Sequence, residues 1–134
     1  MTGLFGAAML TAVKGYLVTV AVEVPVLVAF LSGRHSFLRR LCLGFWLTAC
    51  SYPLASLTLP SLLPLHTSRA LYVALFELIA ITVELPLFFA VFPWEVEGAA
   101  PVRGAGALRD GLVVVGANAC SFAVGEVLRA YGFW

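Results

Sequence analysis

Ala21-Val22-Glu23-Val24-Pro25-Val26-Leu27-Val28-Ala29 falls, at a shift of 61 residues, on Thr82-Val83-Glu84-Leu85-Pro86-Leu87-Phe88-Phe89-Ala90. Each stretch is an apolar run holding a glutamate with a proline two residues later. A second shift, of 70 residues, places Leu38-Arg39 on Leu108-Arg109. It also places Thr48-Ala49-Cys50-Ser51-Tyr52 on Asn118-Ala119-Cys120-Ser121-Phe122. A chance match in apolar sequence sets Leu on Val; it does not readily set Glu-x-Pro on Glu-x-Pro and Ala-Cys-Ser on Ala-Cys-Ser. The pattern reads as an internal duplication, with repeat 1 over about residues 10–60 and repeat 2 over about residues 71–131.

Around these stretches the chain is apolar enough to settle its environment. Of 134 residues 62% are hydrophobic and 11% charged, against about 45–50% and about 25% in ordinary soluble domains. A soluble globule of this size could not cover such a sequence with polar surface, which excludes a soluble enzyme. The net charge of +1 excludes a nucleic-acid-binding surface. Four stretches, near residues 10–31, 38–60, 69–92 and 108–131, reach the length of about 20 residues that a bilayer requires. The breaks between them carry turn and cap residues: Ser32 to Ser36, then Pro60, Pro64 and Thr67-Ser68, then the Gly- and Pro-bearing run from Pro93 to about Ala107. Trp94 and Trp134 stand near span ends, where amphipathic rings favour the interface. The expected fold is therefore an all-α membrane protein, a single transmembrane domain over residues 1–134. Its four helices form a tandem repeat of two hairpins that enter the membrane the same way round, related by an axis along the membrane normal. The first span is too long, and its flanks too unlike a cleavage site, for a removable signal peptide.

Lysine and arginine set the expected orientation. Arg34, Arg39, Arg40, Arg103 and Arg109 belong to the two odd-numbered loops, and Lys14, Arg69 and Arg129 to the other side. Five against three puts the odd loops in the cytoplasm and both termini outside, in a multi-pass protein of the cell membrane, such as a bacterial inner membrane.

The repeat fixes depths. Glu23 and Glu84 each lie eight residues before the end of a span, about 12 Å inside one boundary at 1.5 Å per residue. Thr48 and Asn118 lie ten residues into theirs from the same side, about 15 Å deep. At 100° per residue Ser51 shares a helix face with Thr48, and Ser121 with Asn118. Cys50 and Cys120 fall on the other side, which argues against a soft-metal site. Asn118 is the sole asparagine, and the chain has no glutamine.

A carboxylate at that depth costs roughly 2.5–3.5 kcal/mol on insertion scales, and no basic residue inside the spans can neutralise it. Three arrangements meet that cost: protonated glutamates bonded to Thr48, Ser51, Asn118 or Ser121; a proton shared between Glu23 and Glu84; or a bound cation. Each handles a proton or a cation inside the bilayer. Glu77 and Glu84 form a stripe matched by Tyr16 and Glu23, a candidate path to the site. Pro25 and Pro86 each remove a helix hydrogen bond, and a bend there is expected to open space on the glutamate side. Cys50 and Cys120 read as small buried residues, Cys42 joins them in no disulfide or metal motif, and His35 and His66 read as surface histidines.

No Ser–His pair, aspartate dyad, histidine cluster or phosphate loop suggests catalysis. The expectation is a small transporter or channel for a proton or cation, alone or coupled to another solute, working through Glu23 and Glu84 with no cofactor and no metal assigned. Four helices leave little room for a pore, so a homodimer or larger assembly is expected. The alternative is a non-catalytic membrane subunit whose glutamates dock another protein's helix.

Overall fold

The computed structural model describes residues 2–64, 66–91 and 104–133. They form four helices: α1 (Thr2–Phe30), α2 (Phe37–Leu62), α3 (Arg69–Val91) and α4 (Ala105–Ala130). All four are long and apolar enough to cross a membrane. Pro93 to Arg103, with Trp94, and Trp134 lie outside the described residues.

The helix starts follow local chemistry. Ser36 caps α2 by accepting from the Arg39 N–H, and Ser68 caps α3 by accepting from the Leu71 N–H, each supplying an acceptor to an N–H with no partner in the first turn. Gly104 precedes α4 at φ +88°, in the left-handed region that glycine occupies without Cβ strain. Helix α1 begins at Thr2, ahead of the span expected from residue 10, and two further boundaries differ from the sequence reading. Helix α2 continues through Pro60 to Leu62, because proline late in a helix forfeits a single hydrogen bond while the flanking turns hold. Gly106 belongs to the first turn of α4, where helix packing outweighs glycine's weak propensity.

Each helix packs against its neighbours in sequence, and α4 closes on α1, so the bundle is a four-membered ring. Along its axis it has three levels. Towards the odd loops lies an apolar core of Leu27, Leu31, Leu43, Leu47, Phe88, Val114 and Ala117. Next comes a layer of buried polar side chains, and then, towards the α2–α3 connection, a cavity. The outer surface is apolar: Leu17, Phe45, Leu57, Leu78, Leu112 and Val127 are all exposed, as helices facing lipid require.

Close approach at one crossing depends on glycine. A Cβ on Gly44 would lie 3.0 Å from Val24 Cγ2 and 3.2 Å from the Val24 Cα, so α1 and α2 meet there nearly backbone to backbone. Small residues at contacts are how membrane helices gain packing without a hydrophobic drive between them.

Candidate functional site

The polar layer draws on all four helices. Glu23 of α1 accepts from Thr48 Oγ1 of α2 at 2.8 Å and from Ser121 Oγ of α4 at 2.8 Å. Glu84 of α3 accepts from Ser51 Oγ of α2 at 2.5 Å and from Asn118 Nδ2 of α4 at 2.6 Å. Each of the four seams of the ring therefore carries one of these bonds. Both carboxylates are 2% exposed, and among the described residues neither has a basic partner. Helical spacing explains the convergence: Thr48 and Ser51, like Asn118 and Ser121, stand three residues apart and so share an inward face.

The hydrogen inventory differs between the two carboxylates. Thr48 has one hydroxyl hydrogen and two acceptors in reach, Glu23 Oε2 and the Gly44 carbonyl at 3.0 Å. Ser121 likewise stands between Glu23 Oε1 and the Asn118 carbonyl at 2.9 Å. Both donors to Glu23 are thus shared with backbone. Asn118 has two N–H groups, one for Glu84 and one for the Val114 carbonyl at 3.1 Å, and Ser51 bonds Glu84 alone. Glu84 has two dedicated donors. A proton on Glu23 would let it donate to one hydroxyl and free that hydroxyl for its own carbonyl.

Pro25 and Pro86 are exposed on the faces opposite the glutamates, and neither interrupts its helix. On the glutamate side stand the bonded side chains of Thr48, Ser51, Asn118 and Ser121. Cys120 and Cys42 are exposed and Cys50 half-buried, so the cysteines are not core residues. They point away from the layer, and in lipid an outward-facing thiol loses little. Tyr16 is set against Tyr52, ring centroids 5.7 Å apart, and is not bonded to the carboxylate layer. Glu77 lines a cavity of about 150 Å³ whose lining also includes Ser121. Among the described residues no cluster of three or more His, Cys, Asp or Glu could hold a metal ion.

A second polar cluster, missed from sequence, closes the odd-loop end. Asp110 of α4 is fully buried. It accepts from the Ser32 N–H at 3.0 Å, Ser32 Oγ at 2.9 Å and Arg34 Nη2 at 2.6 Å. His35 Nε2 stands 3.2 Å from the same carboxylate and 3.3 Å from Arg34 Nε. His35 is 6% exposed, so it is not a surface histidine: the α1–α2 loop folds back on α4 and buries it. Burial holds its imidazole below the ordinary value, against the pull of Asp110. His66 is exposed. Arg40 Nη1 donates to the Val28 carbonyl at 2.8 Å and Arg109 Nη2 to the Phe30 carbonyl at 3.2 Å, satisfying the end of α1, which has no basic residue of its own there. A sequence signal did exist: a lone aspartate inside an apolar span needs a partner. At the other end Glu126 pairs with Arg69 of α3 and with Arg129 at 3.1 Å. The chain matches no protein family, no curated protein and no solved structure.

Proposed function

We propose that the protein is a small membrane transporter or channel that moves a proton or cation through the Glu23–Glu84 layer. The observation that carries this reading is two carboxylates, each 2% exposed, held by four hydroxyl or amide donors without a basic partner among the described residues. Hydrogen bonds between membrane helices contribute about 0.6 kcal/mol each on average. Four of them offset roughly the cost of one ionised carboxylate, about 2.5–3.5 kcal/mol, and not of two. The pair therefore holds at least one proton, with Glu23 the better-suited carrier by its shared donors. The burial of both carboxylates favours this over the docking alternative, in which a partner helix needs an outward-facing glutamate.

The same bonds support an architecture of two duplicated hairpins. Under the shifts of 61 and 70 residues Glu23 exchanges with Glu84, Thr48 with Asn118 and Ser51 with Ser121, and the bond pattern maps onto itself. Each glutamate takes one donor from its own hairpin and one from the other. Glu77, without a hydrogen-bond or ion-pair partner among the described residues, and Ser121 provide a route from the cavity to Glu23. The working unit in this reading is a homodimer in a cell membrane, with the odd loops cytoplasmic.

Proteoliposomes holding the purified protein and a pH-sensitive dye test the reading. Wild-type protein should dissipate an imposed proton or cation gradient, and Glu23→Gln and Glu84→Gln should each abolish this while retaining helicity and size-exclusion behaviour. Undiminished flux in the double variant would leave the docking alternative in front.

A further inference from the structure

The cavity at the α2–α3 end is not explained by the carboxylate layer alone. All four helices line it. Ser121 lies on its lining beside the layer, and Tyr52, Tyr72, Phe76 and Phe122 supply an aromatic wall with the Glu77 carboxylate among them. The rings form a continuous surface: Tyr52 and Phe76 have centroids 5.5 Å apart at 66°, and Tyr72 and Phe76 6.4 Å apart. Gly15 makes this wall possible, because any Cβ there would collide with the Tyr52 hydroxyl. Arg69 and Glu126 also line the cavity. Glu126 is shared by Arg69 and Arg129, whereas Glu77 is half-buried and is joined to no cation by an ion pair among the described residues.

We propose that this cavity binds a small alkylammonium cation, with Glu77 as counter-charge and the aromatic rings around its alkyl groups. Three physical points select this class. A volume of about 150 Å³ equals that of an engineered cavity that takes up benzene, which admits an ammonium with methyl-sized substituents and excludes bulky amphiphiles. Aromatic faces attract a cation through the ring quadrupole, most strongly when it is desolvated. A bare alkali ion would exchange its hydration shell for a wall of rings with scattered hydroxyls and the Glu77 carboxylate, Glu126 being engaged by arginines, and a guanidinium would bring five N–H donors to a wall that already carries the Arg69 guanidinium. An alkylated ammonium needs neither oxygens nor multiple acceptors. This inference rests on the transport reading for its purpose and names the solute: because Ser121 touches both the cavity and Glu23, an occupied cavity and a protonated Glu23 act on the same hydroxyl.

Calorimetry on the full chain in detergent tests the site without any flux. The probes are choline, its uncharged carbon isostere 3,3-dimethylbutan-1-ol, and potassium chloride. Choline should bind, the isostere at least tenfold more weakly, and potassium at equal concentration should not compete. Glu77→Gln should weaken choline at least tenfold, and Phe76→Leu by about twofold to thirtyfold, the range of one cation–π contact. Should Glu77→Gln fail to fold, Val18→Phe, which fills the cavity and keeps the carboxylate, must abolish binding. Equal binding of the isostere, competition by potassium, no choline binding, or binding indifferent to Glu77→Gln and Val18→Phe overturns the site. None of those results bears on proton flux through Glu23 and Glu84, so this inference and the transport reading fail separately.

Discussion

A glutamine is not the same substitution at the two glutamates. At Glu23, a glutamine carbonyl accepts from one hydroxyl and its amide donates to the other, which then bonds its own backbone carbonyl; both hydroxyl hydrogens find an acceptor. At Glu84, the carbonyl must face Asn118 Nδ2, leaving the amide towards Ser51, whose hydroxyl then loses its acceptor and must rotate. Thermal unfolding in detergent should therefore show Glu84→Gln less stable than Glu23→Gln by about 1 kcal/mol, the typical net worth of one hydrogen bond. Equal stabilities would contradict the hydrogen inventory. His35 makes the second residue-scale prediction. Its folded imidazole titrates below the ordinary 6.5 because it is buried, with Asp110 opposing and Arg34 and Arg40 adding to the effect. As pH falls below 6.5 the unfolded chain takes up the proton first, so stability is full above that value and declines below it. Melting temperature should drop between pH 7.5 and 5.5 in the wild type, and drop less in His35→Gln. The polar layer was legible in sequence because carboxylate spacing and helical angle are local quantities. His35 and the cysteines were not. The burial of His35 depends on a residue 75 positions away, and small apolar side chains have no inward preference when the solvent is lipid.

Helices, taken singly, followed their sequence well except at their ends. Proline and glycine mark breaks in soluble chains through water's competition for the freed backbone groups. Inside a bilayer that competitor is missing, and the helix runs on through Pro25, Pro53, Pro60 and Pro86. Crossing contacts are where single elements are most exposed to substitution. Gly44→Ala would set a methyl 3.2 Å from the Val24 backbone, which cannot yield without parting α1 from α2. Gly111→Ala would meet the far edge of the Phe89 ring at 3.3 Å, which can turn. Overpacking costs typically about 1–3 kcal/mol. Gly44→Ala should fall in that range and Gly111→Ala below it, as measured by unfolding in detergent; the reverse order would misplace the tightest crossing.

For the whole molecule, topology is the property most directly checked. Gly33 is exposed and has open space where a Cβ would stand, so Gly33→Cys, in a background with Cys42, Cys50 and Cys120 replaced, is a better reporter than Ser36, whose side chain caps α2. With the odd loops cytoplasmic, a membrane-impermeant maleimide should label it in inverted vesicles and not in intact cells; labelling in intact cells reverses the orientation. The ring of bonds has a further consequence, in time. The chain emerges from the ribosome at roughly 5–20 residues per second. Ser121 comes 98 residues after Glu23, so Glu23 waits about 5–20 seconds at that rate for its second donor, and Ser51 waits for Glu84. During biosynthesis the first pair of helices must therefore stand in the membrane, or at the insertion machinery, with an incompletely bonded carboxylate, and the arrival of the fourth helix is the event that closes the molecule.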